Sequence, residues 1–212
     1  MLHKQMKTAP FIGISRHRLG TDGQGIRTLF AFHGCPLSCK YCLNPSCLEE
    51  QPGKLLNMTS SEVIEVLKKD TLYFLATNGG VTFGGGEPLL HSEFIKEVLE
   101  NHKEDIGVTI ETSLNVPQKN IETILPYVQD LIVDIKDMNP QTYKVYTGKD
   151  NDQVKKNLGW LIHKGYANKI ICRIPLIPQY NNDNARELSI NELKQMGITR
   201  FNKFNYIIRD QA

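Results

Sequence analysis

Short apolar runs alternate with amphipathic segments along the whole chain. The apolar runs have the length of strands and lie at residues 29–33, 81–83, 108–111, 131–135, 170–177 and 204–208. Between them, apolar residues recur at helical spacing, as in Val63, Val66 and Leu67 after the capping sequence Thr59-Ser-Ser-Glu62. The pattern therefore predicts six strands, each separated from the next by a helix.

This alternation is typical of right-handed βαβ units, which build an α/β protein with a parallel sheet. The run at residues 131–135 is almost continuously apolar, as expected for a strand covered on both faces. Periodicity alone does not distinguish an open, doubly wound sheet from a barrel or part-barrel. Because no internal repeat, low-complexity tract or Gly/Ser linker interrupts the chain, we expect one domain over residues 1–212.

The composition favours a globular protein and excludes several classes of partner. Apolar residues make up 40% of the chain and charged residues 23%. The 25 basic and 23 acidic residues give a net charge of +2, so no basic patch for nucleic acid stands out. The N-terminus lacks the apolar core of a signal peptide, and no run approaches the roughly 20 apolar residues of a membrane helix. We expect a cytoplasmic protein that binds neither nucleic acid nor membrane.

Three of the five cysteines lie within eight residues, which points to metal ligation rather than disulfides. Cys35, Cys39 and Cys42 directly follow a predicted strand, at spacings of four and three residues. Such a loop can hold three corners of a cubane cluster, whereas a closed cluster or a structural zinc site takes four ligands. Cys47 follows five residues later and can complete a four-cysteine site. A non-catalytic zinc-binding module is therefore an alternative at this stage.

Polar residues and glycines follow several of the predicted strands. A glycine triplet and an acid occupy residues 84–87, and glycines allow a backbone to approach a ligand closely. Glu111 and Thr112 end one strand, Asp134 and Lys136 follow another, and Arg173 lies on a third. Because the carboxyl ends of parallel strands share one edge, these side chains are expected to converge there. The sequence thus predicts a ligand site at that edge.

The cysteine spacing, with the aromatic Tyr41 before the last cysteine, resembles the signature of the radical S-adenosylmethionine (SAM) superfamily. Further segments are similar to the activating enzymes of glycyl radical enzymes, of the pyruvate formate-lyase activase type. They occur in the same order, so the resemblance spans residues 13–206, nearly the whole chain. These segments are DGQGIR at 22–27, Asn44, GVTFGGGE at 80–87, DLIVDIK at 130–136 and CRIPLIP at 172–178.

The resemblance implies a partial (β/α)6 barrel of the TIM-like type. A helix normally follows the last strand in this family, and because the sequence ends at Ala212 we expect it to be lacking here. It implies a 4Fe-4S cluster on Cys35, Cys39 and Cys42, with SAM bound at the iron that lacks a cysteine. A reduced cluster of this kind splits SAM into methionine and a 5′-deoxyadenosyl radical, so no catalytic side chain is expected. Residues 42–87 leave no room for an additional cysteine-rich insert, so one cluster is expected.

The resemblance also assigns individual residues. A monovalent cation is expected near Asp134 and Thr112, a glycyl radical enzyme is the expected partner, and flavodoxin or ferredoxin the expected electron donor. Contact with the partner is assigned to Asp22, Gly23 and Arg27. The residues assigned to the cofactor are Tyr41, Leu43, Asn44, Gly85, Gly86, Glu87, Glu111, Thr112, Asp134, Lys136 and Arg173.

The chain departs from the family pattern at three places. Gln24 replaces a proline, Ser113-Leu114 replaces Asn-Gly, and Ile207 stands where a histidine is expected. The target glycine loop is expected to lie across residues 22–27 and the carboxyl ends of the strands. A radical SAM enzyme acting on another peptide or on a small molecule is the alternative, since fold and cluster do not specify the substrate.

Overall fold

The computed structural model describes residues 7–50 and 55–206. The strands in this part of the chain are β1 (Thr8–Leu19), β2 (Ile26–Phe32), β3 (Leu56–Thr59), β4 (Gly80–Gly85), β5 (Gly107–Thr112), β6 (Asp130–Asp134), β7 (Ile170–Leu176) and β8 (Phe201–Asn205). The α-helices are α1 (Ser60–Thr77), α2 (Ser92–Asn101), α3 (Gln118–Ile124), α4 (Pro140–Thr147), α5 (Asp152–His163) and α6 (Asp183–Met196). None of these helices is long and apolar enough to cross a membrane.

All six strands predicted from the apolar runs are present, as β2 and β4 to β8. The last one, β8, begins three residues earlier than predicted, and residues 207 and 208 of the predicted strand lie outside the described part. The predicted capping box at the start of α1 is confirmed. The Thr59 hydroxyl accepts from the Glu62 amide, and the Glu62 carboxylate accepts from the Thr59 amide at 2.8 Å.

Two strands and one helix were not predicted from the sequence. β1 contains Pro10, Gly13 and several basic residues, so it shows no clear alternation of apolar and polar positions. β3 is only four residues long. α4 is short, yet Asn139 caps its start by accepting from two backbone amides, Pro140 occupies its first turn, and Gly148 ends it with a φ of 76°. This order of Asn, Pro and Gly residues is typical of a helix, so α4 could have been predicted from the sequence.

Contacts within the chain divide it into two compact units. The first comprises residues 1–35, 44–111 and 117–130, of which residues 1–6 and 51–54 are not described. Its strands follow the order β3-β1-β2-β4-β5, in which β1 is antiparallel to both of its neighbours. β2, β4 and β5 are parallel, with Arg27 opposite Gly80 and Gly80 opposite Gly107.

One face of this first sheet packs on helices through an aromatic core. Phe32 lies at its centre, with ring centroids 4.4 Å from Phe11, 6.0 Å from Phe83 and 6.3 Å from Phe94 of α2. All four rings are buried, and such tilted and edge-to-face pairs add to the free energy gained by burying their area. This core fixes the strands on which the site residues of the first unit are placed.

The opposite face of the same sheet carries a buried cation. Arg27 on β2 is only 1% exposed. Its guanidinium donates to the Thr82 hydroxyl at 3.1 Å, the Val81 carbonyl at 2.5 Å and the Thr109 hydroxyl at 2.7 Å. Burial lowers the pKa of Arg27 to about 10, so the side chain stays charged at neutral pH. Arg27 therefore joins β2, β4 and β5 through polar contacts that the apolar pattern did not indicate.

The second unit comprises residues 36–43, 112–116 and 131–212, of which residues 207–212 are not described. Its strands β6, β7 and β8 are parallel, with Val133 opposite Cys172 and Asp134 opposite Arg173. Leu131 and Val133 are fully buried, as expected for a strand covered by helices. The single domain expected over residues 1–212 stays a prediction.

We predict that Arg27→Met lowers the free energy of unfolding by about 3 kcal/mol, because buried carbonyl and hydroxyl groups on two strands lose their donor. Chemical denaturation of both proteins measures the difference. The control is Lys68→Met, which removes an exposed pair with Glu65 at 2.7 Å and should change stability by about 0.5 kcal/mol or less. Equal stability of the two variants would contradict a structural role of Arg27.

Candidate functional site

The chain is fixed on both sides just before it enters the cysteine loop. The Gly34 amide donates to the Cys47 carbonyl at 2.9 Å, and the Gly34 carbonyl accepts from the Glu87 amide at 2.7 Å. Cys47 belongs to a short 3-10 helix, Pro45–Leu48, and is 1% exposed. The residue that precedes Cys35 is thereby held between the segment after the loop and the turn after β4.

The glycine turn after β4 lies directly against the backbone of β2. Gly85 has a φ of +96°, and a Cβ on it would lie 2.7 Å from the Ala31 Cα. A Cβ on Gly86 would lie 2.1 Å from the Gly34 carbonyl oxygen. Both glycines are therefore required by backbone packing, whatever ligand approaches them. Asn44 contacts the same turn, since its amide donates to the Gly85 carbonyl at 3.2 Å.

Acidic and hydroxyl side chains lie where the sequence predicted them, after the strands. The buried Glu87 carboxylate accepts from the Leu89 amide at 3.2 Å and so caps a short 3-10 helix. Glu111, at the end of β5, has a carboxylate oxygen 3.1 Å from the position of a Gly84 Cβ. Thr112 accepts from the Leu114 amide at 2.9 Å, and Leu114 has a positive φ of 56°. These bonds show how each side chain is held in place.

Two cations share one carboxylate, that of Asp134 at the end of β6, which lies opposite Arg173 in the middle of β7. Lys136 donates to Asp134 at 3.0 Å, and Arg173 donates to the other oxygen of the same carboxylate. Burial disfavours the ionised form of Asp134, but the two cations outweigh it and hold the pKa of that carboxyl well below its usual range. The side chains of Asp134 and Arg173 remain 22% and 20% exposed. Together the three groups form a partly accessible site with an excess of positive charge, suited to an anionic ligand group.

The cysteine loop is bound to the last turn of α4. The Ser38 amide donates to the Thr147 carbonyl at 2.8 Å, and the Lys40 amide donates to the Tyr146 carbonyl at 3.1 Å. The two amides on either side of Cys39 are thus held by one helix end. The Cys42 amide donates to the Cys39 carbonyl at 3.2 Å, which closes the loop between these two cysteines.

Cys39 lies against a group of aromatic side chains. Tyr146, Ile177 and Tyr206 form a buried cluster, and Cys39 and Tyr41 pack against it. Burial raises the pKa of the Cys39 thiol, while the positive charge of Lys136 acts in the opposite direction. Lys136 is therefore placed to stabilise a thiolate at Cys39. Leu43, which follows the last cysteine of the loop, is 60% exposed.

The three cysteines of the loop are thiols, the donor type that holds iron–sulfur clusters. Within residues 7–50 and 55–206, no three His, Cys, Asp or Glu side chains lie close enough to hold one ion. Each corner iron of a cubane takes one cysteine, so its thiolates lie farther apart than those around a zinc ion.

The segment assigned to partner contact is largely buried. Asp22 is 3% exposed and pairs with Arg18, while Arg27 lies beneath the turn. Gly23 has a φ of +127°, and a Cβ on it would lie 2.9 Å from the Thr109 hydroxyl. These three residues therefore shape the turn between β1 and β2 from inside, and their role in partner contact stays a prediction.

The expected position of this segment, beside the carboxyl ends of the strands, is wrong. Residues 22–27 lie at the amino end of β2, whereas Cys35 and residues 84–87 follow the carboxyl ends of β2 and β4. The seven residues of β2 separate these ends by roughly 23 Å. The expectation came from the family resemblance of this segment, and the length of β2 was not taken into account.

Comparisons with known proteins agree with the geometry. Residues 29–189 match the radical SAM superfamily. The chain is 32% identical to the (2S)-3-sulfopropanediol dehydratase activating enzyme of Klebsiella oxytoca, over 81% of this chain and 74% of that protein. It is 34% identical to the pyruvate formate-lyase-activating enzyme of Clostridium pasteurianum, over 89% of this chain and 85% of that protein.

Solved structures show the same fold. Streptococcus suis SuiB bound to S-adenosylmethionine superimposes with a TM-score of 0.64 at 18% identity, covering 86% of this chain and 43% of SuiB. SuiB bound to its precursor peptide SuiA gives a TM-score of 0.63 at 17% identity, over 87% of this chain and 41% of SuiB. This chain thus spans about two fifths of SuiB. The predicted α/β class with parallel strands is confirmed.

We predict that Lys136→Met weakens SAM binding by about tenfold or more, because a buried ammonium beside an anionic group contributes on the order of 1.5–3 kcal/mol. Calorimetry on cluster-loaded protein measures the affinity, and iron content shows whether the cluster is retained. Lys155→Met is the matched control, since Lys155 pairs with Glu192 at 2.9 Å on partly exposed helix surfaces. An unchanged affinity in Lys136→Met would exclude contact with SAM.

Proposed function

Because the chain belongs to the radical SAM superfamily and, within it, to the activating enzymes of glycyl radical enzymes, we propose that it forms a glycyl radical on a partner enzyme. Membership of this family implies a 4Fe-4S cluster and SAM as cofactors. When both are bound, they supply the 5′-deoxyadenosyl radical that abstracts a hydrogen atom. The observation that carries the proposal is the three-cysteine loop. Hydrogen bonds of Gly34 fix its entry, and hydrogen bonds of Ser38 and Lys40 to the end of α4 hold its backbone on both sides of Cys39.

The cluster is assigned to Cys35, Cys39 and Cys42. The hydrogen bonds of Gly34 support this by fixing the entry to the loop, and those of Ser38 and Lys40 support it by fixing Cys39. The two remaining cysteines are buried in packing positions, Cys47 in a 3-10 helix and Cys172 on β7. Family membership also sets aside the non-catalytic zinc module, because the relatives are enzymes.

The SAM site is assigned to the glycine turn and to the ion triad of the second unit. Asn44 supports the turn through its bond to the Gly85 carbonyl. Lys136 is assigned to the methionine carboxylate or the ribose, because its buried ammonium lies beside the partly exposed Asp134 carboxylate. Arg173, which contacts the same carboxylate, is assigned to the same ligand. The proposal keeps the predicted roles near SAM of Tyr41, Leu43, Glu87, Glu111 and Thr112. It also includes a monovalent cation beside Asp134 and Thr112.

The partner is proposed to be a glycyl radical enzyme of the pyruvate formate-lyase type. Support comes from the Clostridium pasteurianum relative, which matches most of this chain. The Klebsiella oxytoca relative supports a dehydratase instead, so both enzyme types are candidates. We further propose that the protein is cytoplasmic, that it acts in the absence of oxygen, and that flavodoxin or ferredoxin reduces its cluster. Residues 22–27 contact the partner in this proposal, by way of the turn surface rather than the buried Arg27.

We predict that anaerobically reconstituted protein holds about four iron atoms per chain, in a single cluster. Cys42→Ser should lose this iron because only two thiolates of the loop remain. Cys47→Ala and Cys172→Ala are controls that should retain it. Iron and sulfide analysis with EPR of the reduced form gives the result. Tight zinc binding that disappears in Cys47→Ala would contradict the assignment.

We predict that reduced protein, SAM and a cognate glycyl radical enzyme yield a glycine-centred EPR doublet without oxygen. Methionine and 5′-deoxyadenosine should form in equal amounts, because each SAM cleaved gives one of each once the 5′-deoxyadenosyl radical has taken the glycine hydrogen. About one glycyl radical should form per SAM cleaved, because the radical is delocalised over the flanking amides and is stored there. The control is a partner whose target glycine is replaced by alanine. If SAM is cleaved and a peptide or small molecule is altered while no doublet appears, the chain acts on a different substrate.

A further inference from the structure

A tight turn directly after β7 places a glutamine in a backbone conformation that normally favours glycine. The Tyr180 amide donates to the Ile177 carbonyl at 3.1 Å, so residues 177–180 form a β-turn. Pro178 occupies the second position, and Gln179 at the third has a φ of +69°, which is the pattern of a type II turn. This third position favours glycine or asparagine, because a Cβ is crowded at positive φ. Gln179 is therefore strained, and strained residues cluster at functional sites.

The base of this turn is fixed to the rest of the second unit by Asn181. The Ile177 amide donates to the side-chain oxygen of Asn181 at 2.6 Å. The side-chain amide of Asn181 donates to the Pro175 carbonyl on β7 at 3.2 Å and to the Asp137 carboxylate at 3.3 Å. Asp137 is only 3% exposed. Because these bonds reach a strand and a buried side chain, the turn is a fixed support for the side chain of Gln179.

That side chain reaches the cysteine loop. The Tyr41 hydroxyl donates to the side-chain oxygen of Gln179 at 3.1 Å, and the two residues are 138 positions apart in the sequence. Tyr41 lies between Cys39 and Cys42, and its ring packs edge to face on Tyr180 at a centroid distance of 5.6 Å. A ring contact tolerates small rotations, whereas a hydrogen bond is directional. The bond to Gln179 therefore determines how the Tyr41 side chain is oriented.

The strain at Gln179 and its bond to Tyr41 explain each other. Glycine at position 179 would relieve the strain but would carry no side chain to reach the hydroxyl. Asparagine would also suit a positive φ, but its side chain is one methylene shorter. Glutamine thus gives up some stability of the turn in exchange for a longer reach.

We propose that Gln179 is a positioning residue, which holds the Tyr41 side chain in the orientation that binds SAM. The inference rests on the proposed function, in which Tyr41 is assigned to the cofactor. Gln179 acts through Tyr41 and is not itself assigned to SAM. A side chain that is already held in its binding orientation loses less freedom when the ligand arrives, so the bond raises the affinity for SAM.

The test compares Gln179→Gly with the wild type in two measurements on cluster-loaded protein. Urea denaturation without SAM should give an equal or higher midpoint, because glycine adopts a positive φ without strain. Calorimetry should show that SAM binds about three- to tenfold more weakly, because Tyr41 is no longer held in place. Iron content shows that the cluster is retained. A residue that only stabilised the turn would lower the midpoint and the affinity together.

A double-mutant cycle isolates the bond itself. Tyr41→Phe removes the donor and keeps the ring, so it should also weaken SAM binding. Adding Gln179→Gly to Tyr41→Phe should cause no further loss of affinity, because the bond between the two residues is already absent. Asn78→Gly is the matched control, since Asn78 has a positive φ of 50° at the end of α1 in the first unit. It should leave the affinity for SAM unchanged.

Three results overturn the inference while the proposed function survives. They are a wild-type affinity for SAM in iron-loaded Gln179→Gly, a further loss when this change is added to Tyr41→Phe, and a parallel fall of midpoint and affinity in Gln179→Gly. The last of these would give Gln179 a purely structural role in the turn. A wild-type protein that binds neither iron nor SAM would instead overturn the proposed function, and this inference with it.

Discussion

The site residues of the first unit depend on close packing between two backbone segments, the turn after β4 and the end of β2. Gly86 lies so close to the Gly34 carbonyl that any Cβ would stand 2.1 Å from the oxygen. The bond from the Glu87 amide to the same carbonyl then locks the turn after β4 to the end of β2. Cys35 follows Gly34 directly, so the first cysteine and the glycine turn cannot shift independently. A side chain at position 86 would separate two elements that the chemistry needs together.

Much of the fold was predictable because apolar burial dominates it. Six strands and the capped start of α1 followed from spacing and local hydrogen-bonding groups, which are short-range properties of the sequence. β1 was not predictable, because Pro10 and its basic residues hide the alternation and its pairing with β2 and β3 is antiparallel. The turn at residues 22–27 was misplaced because its position was inferred from a family resemblance, although it precedes β2 and so lies at the amino end of that strand.

The candidate site was predictable in its residue types and not in its contacts. The cysteine spacing and the polar residues after the strands resembled one family, and the comparisons confirm that family, while the roles of the individual residues stay predictions. Arg27 could not be recognised as buried, because its acceptors on β4 and β5 are distant in sequence and a charged residue is normally exposed. Tyr146 was missed for the same reason, since its relation to Cys39 arises only when α4 meets the loop.

The bonds from Ser38 and Lys40 to the end of α4 also bear on how a cluster enters the protein. Helix ends are the parts of a fold that open most readily, at a small fraction of the free energy of global unfolding. When the last turn of α4 frays, the two amides beside Cys39 lose their acceptors in the same event. Because Tyr146 and Thr147 in this turn are fully buried, opening it would expose their side chains and release the backbone around Cys39 together.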